Sequence, residues 1–167
     1  MKDIGRAWSA FIEDKGKFAE AASYKEPDLK WIREQYAGGG AIAERSVPML
    51  LEELKCELTM YNYDPDAIAA FGFAVGSPQA FQFRRELFDT SAQTTSSIVV
   101  HTLATVDLEF PDWDRKKLEG VKLPLFVTTY RRFRDGVLEL HIDPEGGIID
   151  MGDGNILAET NRAIGRN

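Results

Sequence analysis

Leu29-Lys-Trp-Ile-Arg-Glu-Gln-Tyr-Ala-Gly-Gly-Gly-Ala-Ile-Ala-Glu-Arg-Ser-Val-Pro-Met-Leu-Leu-Glu-Glu-Leu-Lys-Cys-Glu-Leu-Thr-Met-Tyr-Asn-Tyr63 holds two strand-like runs apart by a long stretch with no helical period. Leu29, Trp31 and Ile32 open an extended run that ends near Tyr36. At the far end Leu54, Cys56, Leu58 and Met60 share one face, and Lys55, Glu57, Thr59 and Tyr61 the other. That is the period-two signature of a half-buried strand. Between the runs, Gly38, Gly39 and Gly40 permit backbone angles closed to other residues and act as a hinge. No helix start signal appears from Ala41 to Met49, and Pro48, lacking an N–H, argues against a central strand. An arm at about 37–53 is expected. A compact enzyme rarely needs such an arm between strands; a subunit that reaches onto its neighbours does.

The rest of the chain keeps the same alternating habit. Trp8, Ala10 and Ile12 share a face, and the turn 13–17 followed by Phe18 to Glu26 reads as a hairpin. Asp64-Pro65 opens a short helix, with an N-cap carboxylate and a proline at the first helical position. Ile68 and Phe71, one turn apart, are expected to face the sheet, and Gly72 to end the helix. Phe81 and Phe83 alternate with Gln82 and Arg84. A polar tip, 89–97, precedes the clearest strand, where Ile98, Val100, Thr102, Ala104, Val106, Leu108 and Phe110 share one face. The loop 111–120 leads to a strand from Val121, and Asp135-Gly136 is a strong hairpin turn into Leu138–Ile142. A short helix is expected near 155–163. The sum is a mainly β (α+β) chain: an antiparallel β-sandwich or barrel with a short flanking helix, 1–167 as a single domain.

Composition narrows the function. A chain of 167 residues buries roughly 68–70% of its unfolded surface, enough for one core. No run approaches the roughly 20 apolar residues of a membrane-spanning helix, and the first residues carry no secretory signal. One cysteine, Cys56, rules out an intrachain disulfide. A net charge of −7 disfavours binding to nucleic-acid phosphates.

No catalytic or cofactor constellation emerges, so no enzyme, metal or cofactor is expected. His101 and His141 lie on alternating strands without metal-ligand spacing. The stretch 150–155 lacks the frame of a calcium loop and reads as a turn before the last helix. The triple glycine lacks the Lys-Ser/Thr of a phosphate loop. Cys56 reads as a small core residue. The basic groups Arg84-Arg85, Arg115–Lys117 and Arg131–Arg134 read as solvated or inter-subunit pairs. Trp113, between Asp112 and Asp114, reads as ordinary surface or as a contact anchor.

The opening hairpin, Lys30 to Tyr36 followed by Ala37-Gly38-Gly39, the acidic approach Leu51–Leu54, the helix Asp64–Phe71, the strand Phe81–Leu87, the long strand Val99–Leu108, the run Leu125–Arg134 with its Asp135-Gly136 turn, and the closing Asn161-Arg162-Ala163-Ile164-Gly165 occur in an order that resembles the major tail tube protein of contractile-tailed bacteriophages. The resemblance runs from about Phe11 to the C-terminus. It implies a ring-forming β fold, six copies to a ring, with the rings stacked into a rigid tube inside a contractile sheath. The implied partners are the protein itself, the sheath, baseplate and tail terminator proteins, the tape measure protein, and DNA passing without specific binding. The implied setting is the virion, assembled in the host cytoplasm. Within that picture Gly38, Gly39, Gly40, Ile42, Arg45, Trp113 and Arg115 are candidate inter-subunit or inter-ring contacts. Asp107 and Glu109, on the polar face of the clearest strand, are candidate lumen residues. Competing readings are the tube of a tailocin or type VI-like injection system, a small-ligand β-barrel, and a nucleic-acid-binding barrel, the last opposed by the acidic balance.

Overall fold

A computed structural model describes residues 1–72 and 77–166. The fold is mainly antiparallel β-sheet with two short helices. In chain order the elements are β1 (Ile4–Ile12), β2 (Lys15–Gly16), β3 (Ala21–Lys25), β4 (Trp31–Tyr36), β5 (Arg45–Leu51), β6 (Lys55–Met60), α1 (Pro65–Gly72), β7 (Gln79–Asp89), β8 (Thr94–Val106), β9 (Val121–Arg134), β10 (Val137–Asp143), β11 (Ile148–Asp150) and α2 (Ala158–Ala163).

β9 organises the larger sheet. One of its edges pairs with β8 from Val106↔Leu125 to Ile98↔Arg134. Its other edge serves two strands in turn: β6 along Val121–Phe126, then β10 along Tyr130–Arg134. From β8 the sheet continues through β7 to β1, and β6 carries β3 on its far side. The β3 leaf folds back over β7, where Tyr24 stacks on Phe83 with ring centroids 3.6 Å apart. The alternation read from the sequence fills the space between. Leu54, Cys56, Leu58 and Met60 are buried, as are Ile98, Val100, Thr102, Ala104 and Val106, against Phe81, Phe83, Leu123, Leu125 and Tyr130. The Asp135-Gly136 turn has positive φ at both positions (50° and 80°), the geometry that two-residue hairpins require.

Thr102 sits in the middle of this core, paired between Phe81 and Tyr130, and its hydroxyl finds no hydrogen-bond partner among the described residues. An unpaired buried hydroxyl costs about 1–3 kcal/mol. Thr102→Val keeps the side-chain shape and is expected to raise stability by about 1 kcal/mol in urea unfolding. A lower midpoint for the variant would show that the hydroxyl is bonded after all.

Four local expectations change. The opening hairpin is only two residue pairs long, Phe11↔Gly16 and Ile12↔Lys15. The run after it becomes β3 and leaves for β6, because Tyr24 is driven into the core. The face of α1 turned to the sheet is Ala67 and Ala70, both buried, whereas Ile68 and Phe71 are 37% and 57% exposed. Small side chains let this short helix lie close. The tip between β7 and β8 is Thr90–Gln93, since strand pairing extends through Asp89↔Thr94. Much of the arm at 37–53 is also strand, because β5 pairs with β4 in a sheet of its own. Pro48 is accommodated because both strands are edges and because the register shifts beside it, between Ile32 and Arg33. The start of α1 stands as expected, with the Asp66 N–H donating to Asp64 Oδ1 at 3.3 Å. Its expected stop at Gly72 borders residues 73–76, which lie outside the described residues.

An ion cluster unforeseen in the sequence joins α1 to the first turn. Lys17 Nζ lies 2.8 Å from Asp64 and 2.7 Å from Asp66, and Lys15 reaches Asp66 at 2.6 Å. The side chains of Lys17 and Asp64 are 8% and 5% exposed. Burial pulls the Lys17 ammonium down, but the two aspartates outweigh it and leave its pKa above the usual lysine value. Hydrogen bonds from Lys15 and Lys17 hold the Asp66 carboxyl below the usual range.

Candidate functional site

The β4–β5 hairpin stands apart from the main sheet. Its two strands pair from Trp31↔Leu51 to Tyr36↔Arg45, and both outer edges lack strand partners among the described residues. Side chains of paired residues point to the same side, so Ile32, Leu50, Val47 and Tyr36 share one face, with the charged Glu34 and Arg45 on the same side. All four are exposed. A two-stranded hairpin is marginal in water by itself, and one that shows an apolar face to solvent lacks the cover that would stabilise it. Exposed apolar faces of this kind are characteristic of interaction surfaces.

The sequence-selected residues fall in three places. Gly38, Gly39 and Gly40 form the hairpin tip with Ile42, which is fully exposed, and Arg45, which begins β5 opposite Tyr36. Gly40 has a φ of +83°, a left-handed conformation that favours glycine. Trp113 and Arg115 lie on the loop between β8 and β9, where Trp113 is 96% exposed. Asp107 and Glu109 continue the polar side of β8. Their backbones remain tied to β9, since the Asp107 N–H donates to Pro124 O at 3.0 Å and the Glu109 N–H to Lys122 O at 2.9 Å. Both side chains face solvent.

The same polar side carries a cross-strand row through Gln82, His101, Arg131, His141 and Asp150. Arg131 Nε donates to His141 Nε2 at 3.3 Å, and His101 packs edge-on against Phe133. Partial burial, then Arg84 and Arg131, hold the His101 pKa below its ordinary value. Strand alternation placed the histidines on a face; the register that aligns them was not readable from either strand alone.

Two other arginines are internally committed. Arg132 pairs with Glu26 and Glu139, and Arg134 with Glu139 and Asp3, forming a chain of ion pairs that ties the residue before β1 and the residue after β3 to β9 and β10. Tyr130 Oη reaches Glu26 at 3.5 Å. Cys56 is buried, and desolvation pushes its thiol up to about 12, which makes it inert as a nucleophile near neutral pH. Among the described residues no cluster of three or more His, Cys, Asp or Glu side chains is placed to hold a metal ion.

Comparison with known proteins gives two findings. The family model for phage tail tube protein FII matches residues 6–165. Among solved structures the chain is similar to the tube-terminating cap of an anti-feeding prophage, with a TM-score of 0.56 and 10% identity, covering 75% of this chain and 87% of that one. It is also similar to a chain of the PVC sheath–tube complex, an extracellular contractile injection system in its extended state, with a TM-score of 0.50, 10% identity and the same coverages. At that identity the structural likenesses speak for the fold. No curated protein matches the chain.

Proposed function

The chain belongs to the phage tail tube protein FII family, a family of structural tail tube proteins, and from that premise we propose that it polymerises as stacked hexameric rings into the rigid inner tube of a contractile phage tail. The observation that carries this reading is the free hairpin, whose largely apolar face and bare edges have no cover among the described residues. Gly38–Gly40, Ile42 and Arg45 make contacts between rings or neighbouring subunits, with Trp113 and Arg115 contributing from the second loop. The chain acts as one domain with a mechanical role and no catalytic one. A contractile sheath surrounds the tube, baseplate and terminator proteins end it, and the tape measure protein and then DNA occupy its lumen. The particle is a virion or a phage-like equivalent, assembled in the host cytoplasm. The likeness to chains of contractile injection systems supports a second reading, a tube of that type without a phage genome. Neighbouring genes for sheath, baseplate and capsid separate the two.

Negative-stain microscopy of the purified protein at high concentration tests the proposal. Annuli or hollow filaments are expected. Strictly solitary particles that turn over a small molecule would end it.

The acidic balance has a role in a conduit. Six copies at −7 each carry roughly −42 per ring, and such a wall repels phosphates. If Asp107 and Glu109 line the lumen, replacing them with Asn and Gln slows DNA ejection at low salt, measured by fluorescence of released DNA. Unchanged ejection kinetics would remove these residues from the lumen.

A further inference from the structure

The larger sheet does not close. One edge of β1 pairs with β7, but the other is covered by β2 only at Phe11 and Ile12. From Ile4 to Ser9 the second edge is bare among the described residues. β3 pairs with β6 on one side and, among the described residues, with no strand on the other. The two bare edges line an open cleft of about 720 Å³, with Gly5–Trp8 on one wall and Ala22–Glu26 on the other. Backbone donors and acceptors in a row along a sheet edge are a template for a further strand.

We propose that this cleft receives the β4–β5 hairpin of a second copy of the chain. The inference rests on the tube reading and supplies the acceptor for the hairpin. Three features fit the pair. First, the hairpin has no further strand partner among the described residues, and the facing edges of β1 and β3 have no strand between them. Second, the apolar side chains Ile32, Tyr36, Val47 and Leu50 of that face match the Trp8, Tyr24 and Leu87 lining of the cleft, and the tip is built mainly of Gly and Ala. Third, the charges are complementary. Lys25, Arg132 and Arg134 of the cleft are already paired within the chain, which leaves Arg6, Arg84 and Arg85 without a carboxylate partner among the described residues. Glu34 and Glu44 of the hairpin are likewise without a cation partner among the described residues, although Arg33 and Arg45 leave the hairpin as a whole neutral. β4, which has no proline, offers the edge able to add to β1; Pro48 interrupts the donors of β5. Hairpin and cleft are different surfaces, so the contact is head-to-tail and propagates from copy to copy, whereas a self-complementary patch would close a dimer.

Disulfide trapping in the assembled protein tests this. Ala7→Cys and Ser23→Cys place a thiol on either wall of the cleft, and Ile42→Cys places one at the hairpin tip; all three positions are exposed. Chains carrying Ile42→Cys are mixed with chains carrying one of the wall cysteines, co-assembled and oxidised. A covalent heterodimer is expected in at least one mixture, absent when either single variant is oxidised alone, with a ladder of multimers from the corresponding double variant. Tubes that form without any heterodimer overturn the cleft as acceptor and leave the tube reading standing. A double variant that cross-links only within its own chain also overturns it. Failure of the parent protein to form multimers in any condition overturns both.

Discussion

Deleting Gly39–Ala43 is expected to leave a folded subunit that makes no tubes. The deletion keeps the Tyr36↔Arg45 pair and leaves Ala37, Gly38 and Glu44 as a three-residue connection, a length that hairpins accept. Nothing in the core is touched, so far-ultraviolet circular dichroism and the urea midpoint should match those of the parent. What is lost is the tip and Ile42. An anchor residue at a contact carries about 2 kcal/mol or more, which is roughly a thirtyfold weaker contact, and a polymer meets that loss at every subunit. Sedimentation at a concentration where the parent is fully assembled should therefore find the variant as small species. Normal polymers from a folded variant would remove the tip from the assembly surface.

The second large effect is expected from Lys17→Met. Lys17 is the cation that neutralises Asp64 in a site where both are nearly out of water. Removing one partner of a buried pair leaves the other charge uncompensated, at a cost of about 3–5 kcal/mol. Chemical unfolding should show a loss of that order. Adding Asp64→Asn should recover part of it, since asparagine still caps α1 and no longer buries a charge. A loss below about 1 kcal/mol would place the pair in solvent, where ion pairs contribute little. The pH dependence follows from the shifts. The Lys17 pKa is raised, so its contribution is complete below the ordinary lysine value and is lost as pH rises through the higher folded value. The Asp66 pKa is lowered, so its contribution is present above the ordinary aspartate value and is lost as pH falls through the lower folded one. In Lys17→Met the alkaline loss due to this group should vanish, as followed by thermal melts between pH 9 and 12.

Strand faces were legible because period-two alternation is local. Leu54–Met60 and Ile98–Val106 point where the alternation sends them. The Asp135-Gly136 turn was legible because its backbone angles demand such residues. The α1 face was misassigned because Ile68 and Phe71 are the larger apolar residues, while close packing against the sheet selected Ala67 and Ala70. The partner of β3 could not be read, since pairing to β6 joins Tyr24 to Leu58 across more than thirty residues and no turn announces it. The arm was legible as an exception to compact folding but not as a hairpin: three glycines and a proline mask a strand whose partner is adjacent in sequence. The cleft was invisible for a simpler reason. An unpaired edge is a property of what two distant strands fail to do, and β1 and β3 carry no mark of it.

β9 has a mechanical consequence. At roughly 3.3 Å per residue its 14 residues span about 46 Å. Along this length its grip on one side passes from β6 to β10, while β8 holds the other side from Leu125 to Arg134. Force applied lengthwise to such a strand loads its hydrogen bonds in parallel, so they must rupture together, whereas a strand peeled from its end loses them one at a time. At the handover near Thr128–Thr129, beside the register shift at Leu103/Ala104, this spar has neither β6 nor β10 paired with it. A lengthwise thrust would be shared between the β6 and β10 pairings as long as that short span holds.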